Sequence, residues 1–272
     1  MAGKDFFDVK RSAAKTSEGD IELPMLFYDV GVRYLNFWVD YEKTASKLAG
    51  TGLLPCRFFN GKTIVSLVYF QYRSVDIGPY DEVTITIVVH PEILKKPLFY
   101  LPAFLSKTGM EKNNIGAYVL EMPVTTPAAR TAGREIWGYP KFVTKISSRL
   151  DSDSFEFSVF DPKTNESILS VKCKTGAGIR VNGFDLATYS NLNDSILKTI
   201  VNIDAKYRLS SIKNFELVAG HSDHRMVRNI RDLELDRIKP FMVMGTDSFR
   251  SRLNRGEPVA KWKTPPLPYE EV

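Results

Sequence analysis

The sequence predicts a mainly β domain, a sandwich or barrel with a few short helices. Short runs of apolar, aromatic and β-branched residues recur at roughly eight- to twelve-residue spacing, with turn residues between them. The runs are not separated by the long helical patterns that a doubly wound α/β fold needs for its crossovers. At 272 residues, 43% hydrophobic and 25% charged, the chain has the proportions of one ordinary globular domain. Disorder and collagen-like sequence are excluded for the chain as a whole.

Residues 1–24 read as a polar, charged N-terminal arm. The arm has no apolar core of signal-peptide length, and nowhere is there a run of about 18 apolar residues to cross a membrane as a helix. A cytoplasmic protein is the expectation. Met25–Val39 is the first strand of a single domain over 25–263. Asp40 then caps a short helix over Tyr41–Ala49, which Gly50 closes. Thr63–Tyr72 is a strand, and Glu82–Val89 another with clear period-2 character. Asn114–Val124 follows, and Thr126-Pro127 then opens a further short helix. Phe142–Leu150, Ser154–Phe160, Ser167–Lys174 and Ile196–Ile203 complete the strand set. Residues 264–272 read as a C-terminal tail. Both ends are expected to stay mobile or to lie on a neighbour.

Several chemistries are excluded. The 37 Lys+Arg exceed the 32 Asp+Glu by a formal +5, but acidic residues interleave with the basic ones and no nucleic-acid-binding motif accompanies them. Cys56 and Cys173 read as small buried hydrophobes in a reducing compartment. Gly176-Ala177-Gly178 carries only part of a dinucleotide fingerprint and reads as a β-turn. His221-Ser222-Asp223-His224 has no cysteine cluster beside it and reads as an exposed loop; no metal site is expected.

One segment carries chemistry: Pro127 to Lys145, PAARTAGREIWGYPKFVTK. Pro140 pins the backbone before Lys141, and Ile136, Trp137, Tyr139, Phe142 and Val143 surround that lysine with apolar and aromatic bulk. Two readings follow: a strand-edge lysine that snorkels to water, or a desolvated amine held for nucleophilic catalysis. Arg33, in phase with Leu35, Phe37 and Val39, is either a structural ion-pair member or a carboxylate-binding group. Glu82, in phase with Thr84, is an acid/base group or an exposed residue after a turn. Arg134 and Glu135 read as a structural pair.

Gly133-Arg134-Glu135-Ile136-Trp137-Gly138-Tyr139-Pro140-Lys141 resembles the signature of the acetoacetate decarboxylase family, in which the lysine of this run forms a Schiff base with substrate. Pro79-Tyr80-Asp81-Glu82 resembles the family turn that brings a glutamate to the lysine. Tyr34-Leu35-Asn36 with the helix after it, and Ile196 to Val218, resemble its early and late elements. The resemblance implies a closed, cone-like antiparallel β-barrel with a few peripheral helices, forming a homo-oligomer. It implies a lyase that decarboxylates a β-keto acid or related oxo acid through neutral Lys141, with no metal or organic cofactor. Glu82 would assist, and Arg33, Trp137, Tyr139 and Phe142 would contact substrate. Two features depart from the family: its second lysine, directly after the nucleophile, is Phe142 here, and no acidic residue stands within Lys62–Tyr72 where the decarboxylase has a pocket glutamate. An imine-dependent aldolase-dehydratase and a non-catalytic barrel for small ligands are the alternatives these departures leave.

Overall fold

A computed structural model of the chain describes residues 5–96, 99–104 and 106–266. Parts of the expected arm and tail, residues 1–4 and 267–272, lie outside the described residues. The elements run β1 (Ser12–Thr16), β2 (Gly19–Leu23), β3 (Met25–Asp40), α1 (Tyr41–Lys47), β4 (Leu53–Pro55), β5 (Lys62–Val75) and β6 (Tyr80–Pro91). Next come α2 (Gly109–Lys112), β7 (Gly116–Val124), α3 (Pro127–Trp137), β8 (Lys141–Val143), β9 (Ile146–Leu150), β10 (Ser154–Phe160) and β11 (Ser167–Asn182). Finally β12 (Leu186–Leu192), β13 (Ser195–Asp204), β14 (Lys206–Ala219), α4 (Arg225–Asp232), β15 (Met242–Leu253) and β16 (Glu257–Lys261) complete the described chain.

The barrel is a ring of seven strands, β3, β5, β6, β7, β12, β13 and β15. It closes because β15 pairs with β3 over much of its length and with β13 near its end, at Val201↔Leu253 through Asp204↔Arg250. Closure removes the open edges that a flat sheet would expose. The expected closed barrel is therefore present, with one difference: β7 and β12 run parallel, so the ring is mixed. The loop, helix and outer strands between β7 and β12 bring the chain back at the same end, which a hairpin could not do.

β15 also pairs with β14, and β14 leads on through β11 and β10 to β9, forming a sheet outside the ring. Strand alternation sorts the core between these layers. Leu35, Phe37, Leu67, Val83 and Ile85 point out of the ring and pack with Phe157, Val159, Val171 and Leu217. Val32, Tyr34, Val68, Tyr72, Tyr80, Met122 and Val124 point the other way and pack with Trp137, Tyr139 and Phe249.

Several local expectations change. Residues 12–23 form a hairpin docked on their own chain: Ser17 N donates to Glu135 Oε2 at 2.8 Å, and Thr131 Oγ1 to Glu18 Oε1 at 3.0 Å. Gly176 and Gly178 are not a turn but lie inside β11, where the ladder to β14 is irregular. A Cβ on Gly178 would stand 2.6 Å from the Leu209 carbonyl oxygen, so close backbone approach explains that glycine. His224 caps α4 through Nδ1, which accepts from Met226 N at 3.1 Å, and is not a free loop residue.

Glu121 is fully buried on the outer side of β7, accepting from Asn229 Nδ2, with Arg225 Nε at 3.6 Å. Burial pushes its carboxyl up to about 7, against the lowering influence of Arg225 and Asn229. A carboxyl whose folded value is raised binds its proton more tightly in the folded state. Its contribution is therefore complete below the ordinary value of 4.5 and is lost as pH rises through about 7. Glu121→Gln is expected to hold, at pH 8 relative to pH 5, about 2.5 kcal/mol of stability that the wild type loses. Denaturant titrations at the two pH values check this, and identical pH dependence for both proteins would contradict it.

Candidate active site

The site begins with helix α3. Thr126 is extended, with its hydroxyl accepting from Ala129 N at 3.4 Å, and Pro127 supplies the first helical residue. Gly138 ends the helix in the left-handed conformation at φ 65, its N–H returning to Arg134 O at 3.1 Å. The chain then turns through Tyr139 and Pro140 into β8, which lies parallel to β7 with Lys141 beside Met122. Arg134 Nε donates to the Lys141 carbonyl at 2.6 Å, fixing the strand against the helix.

This path aims the Lys141 side chain at the interior, where the residue is only 6% exposed. Its stem lies across α3 at Gly133: a Cβ there would stand 2.4 Å from Lys141 Cδ and 2.6 Å from Cε. The glycine is what lets the lysine reach inward. Nζ meets Glu82 Oε2 at 2.8 Å, and Glu82 is 3% exposed. Glu82 Oε1 accepts from Tyr72 Oη at 3.3 Å and Thr84 Oγ1 at 3.4 Å. The Tyr80 ring stands over the amine, with its centroid 5.4 Å from Nζ. Neither charge could be buried here alone, because stripping water from an unpaired ion costs several kcal/mol.

Phenols and an indole build the surroundings. Tyr139 Oη shares a hydrogen bond with Thr188 Oγ1 at 2.7 Å, and burial pushes its hydroxyl up to about 12. Trp137 stacks behind it at a centroid separation of 6.2 Å and donates Nε1 to Asn254 O at 2.8 Å. Burial likewise holds the Tyr72 and Tyr80 hydroxyls well above the ordinary phenol value. A cleft of about 480 Å³ lies between the N-terminal hairpin and α3, lined in part by Arg11, Asp76, Ile77 and Ala132.

Of the residues singled out in the sequence, Lys141, Glu82 and Tyr139 face one interior, with Trp137 behind the tyrosine. Phe142 does not join them. As the next residue in a strand it points oppositely, into the outer core, and its ring lies 4.8 Å from that of His224. Arg33 also stays away from the lysine. It shares the outward phase of Leu35 and Phe37, and its guanidinium donates to Asp247 Oδ1 at 2.7 Å and to Thr246 O at 3.1 Å. Arg134 donates to the Lys141 carbonyl, and Glu135 accepts from Ser17. Sequence reasoning missed Tyr72, Thr84 and Gly133 as parts of the site. The signal for Tyr72 was its place opposite Tyr80 once the hairpin register is set; Gly133 left none without the lysine's path.

Lys141 and Glu82 thus lie sealed together under aromatic side chains inside a closed barrel. The family model for acetoacetate decarboxylase (ADC) matches residues 13–180, a span that holds both residues. The chain belongs to the acetoacetate decarboxylase family, whose members are enzymes. Among solved structures it is similar to acetoacetate decarboxylase from Legionella pneumophila, at 14% identity over 88% of each chain with a TM-score of 0.60. It is also similar to the enduracididine biosynthesis enzyme MppR bound to the condensation product of pyruvate and imidazole 4-carboxaldehyde. That match has 11% identity, 88% of this chain and 91% of MppR covered, and a TM-score of 0.60. An acetoacetate decarboxylase-like enzyme from Sphingomonas wittichii RW1 matches at 9% identity, over 87% of this chain and 93% of that one, with a TM-score of 0.57. A comparison with curated protein sequences found no match. Among the described residues no helix is long and apolar enough to cross a membrane.

Proposed function

We infer that the chain is a Schiff-base-forming lyase acting on a β-keto acid or related oxo acid, with Lys141 as nucleophile and Glu82 as its acid–base partner. The observation that carries this reading is the 2.8 Å contact between Lys141 Nζ and Glu82 Oε2 in the barrel interior. A lysine attacks a carbonyl carbon only as the neutral amine. Passing a proton from the ammonium to the carboxylate 2.8 Å away yields the uncharged pair that attack requires. The amine adds to the ketone, and the carbinolamine loses water, taking its proton from Glu82. The resulting iminium accepts the electron pair of the breaking carbon–carboxylate bond as CO2 departs. Protonation of the enamine carbon and hydrolysis by water return the ketone and Lys141.

Where the family places a second lysine, this chain has Phe142, so activation by a neighbouring ammonium at that position is replaced by desolvation and Glu82. Trp137 and Tyr139 form the wall against which the substrate would rest; Arg33 and Phe142 have no part in this version of the site. A homo-oligomer located in the cytoplasm belongs to the same proposal. A second reading keeps the imine and lets the enamine attack an aldehyde, followed by loss of water. The structural likeness to MppR, captured with a condensation product, favours considering it.

Incubation with acetoacetate, and separately with pyruvate plus an aldehyde, tests the two. Release of CO2 and acetone supports decarboxylation, while a dehydrated condensation product supports the second reading. No turnover and no borohydride-stable adduct with a panel of oxo acids would sink both and leave a binding barrel.

A further inference from the structure

Glu82 has two carboxylate oxygens, and the chemistry inferred for Lys141 occupies only one of them. The other, Oε1, accepts from Tyr72 Oη at 3.3 Å, with Thr84 Oγ1 at 3.4 Å. The sheet register explains how Tyr72 comes to be there. Phe70 is the ladder partner of Glu82 and Tyr72 is the partner of Tyr80, so Tyr72 sits diagonally to the carboxylate on the same inward face. The tyrosine ring is fixed on three sides. It stacks on Phe70 with an interplanar angle of 4°, lies 4.5 Å from the Tyr80 ring and 5.0 Å from that of Phe27. A phenol packed this firmly delivers its hydroxyl to one place.

We propose that Tyr72 is a positioning residue for the Lys141 reaction: its hydroxyl holds the Glu82 carboxylate in the orientation that takes and returns the lysine proton. The inference rests on the Schiff-base reading of Lys141. A carboxylate sealed from water that accepts from a hydroxyl on one oxygen keeps the other aimed at the amine. The titratable groups that face this carboxylate are Lys141 from β8, Tyr72 from β5, Tyr80 from β6 and Tyr139 from the turn after α3; Tyr34 from β3 and Tyr207 from β14 stand behind Tyr72. Lys141 is the one cation in that set.

The test uses the full chain and acetylacetone, a β-diketone that condenses with a neutral amine, losing one water, to give a conjugated enaminone read by its ultraviolet absorbance. No turnover is needed. Tyr72→Phe keeps the ring and its packing, and is expected to slow adduct formation about tenfold at pH 7, because the carboxylate is no longer held toward the amine. The loss is expected in the rate at saturating acetylacetone, with the half-saturating concentration little changed. Glu82→Gln is expected to be slow on its own, and adding Tyr72→Phe to it should slow it no further, because the tyrosine acts through the carboxylate. A purely structural role for Tyr72 would give additive losses and would weaken acetylacetone binding along with the rate, and that result would overturn the proposal. An enaminone on wild-type Lys141 together with an unchanged Tyr72→Phe rate would sink the tyrosine's role alone. No enaminone on the wild type would remove the Schiff-base reading and this inference with it.

Discussion

Lys141→Met is expected to abolish turnover and imine formation, lowering any measured rate by roughly 10⁴-fold or more, as removal of a covalent nucleophile does. Methionine keeps the unbranched stem that lies across Gly133, so the packing against α3 survives. What does not survive is charge balance. Glu82 would be left 3% exposed without its cation, and stranding one partner of a buried pair costs about 3–5 kcal/mol. Stability and activity would therefore fall together in the single variant, which alone cannot separate a catalytic lysine from a structural one. The double variant Lys141→Met/Glu82→Gln separates them. With both charges removed, the fold is expected to recover most of the lost stability, as replacement of a whole buried pair often allows. Activity should stay at the level of the single variant. Thermal melts and adduct assays on the three proteins check this, and a double variant that regains activity along with stability would contradict it.

Gly133→Ala is expected to separate geometry from stability in the opposite sense. Alanine is the better helix former by about 1 kcal/mol, and Gly133 lies within α3. The new methyl would, however, fall 2.4 Å from Lys141 Cδ and 2.6 Å from Cε, inside any allowed contact. The lysine stem is flexible and can move; the helix backbone cannot. Nζ is then displaced from Glu82 Oε2, and a shift on the order of 1 Å at a reacting group can cost about 100-fold in rate. The variant is expected to melt within a few degrees of the wild type while forming adducts about 100-fold more slowly. A variant with both normal stability and normal adduct formation would show that the Gly133 contact does not set the lysine's position.

The outcome for individual residues shows what a sequence discloses about such a site. Glu82 could be placed because Glu-Val-Thr-Ile-Thr-Ile-Val-Val alternates, which sets Glu82 and Thr84 on one face. The proline and aromatic residues around Lys141 left a snorkelling lysine and a buried nucleophile both open, and the resemblance of Gly133–Lys141 to the family signature is what favoured the nucleophile. Which face of each strand turns inward is decided by ring closure, and no local pattern carries that information. Arg33 therefore looked available to substrate, although its phase-mates Leu35 and Phe37 pack between the barrel and the outer sheet. Phe142 was grouped with Lys141 by adjacency, while strand alternation sends adjacent side chains to opposite layers. The β11 glycines mimicked a turn because close approach by β14 demands the same residue type. The N-terminal hairpin was hidden because its strands are short and polar and are held by contacts to α3, more than 100 positions away.

Reduction with borohydride in the presence of acetoacetate, followed by peptide mapping, tests the central claim most directly. The expected result is one added mass, that of the reduced imine, on the peptide carrying Lys141, absent from Lys141→Met and absent when borohydride is added without the oxo acid. An adduct on another lysine, or none at Lys141 with acetoacetate or any other oxo acid tried, would contradict the claim that this buried amine is the nucleophile.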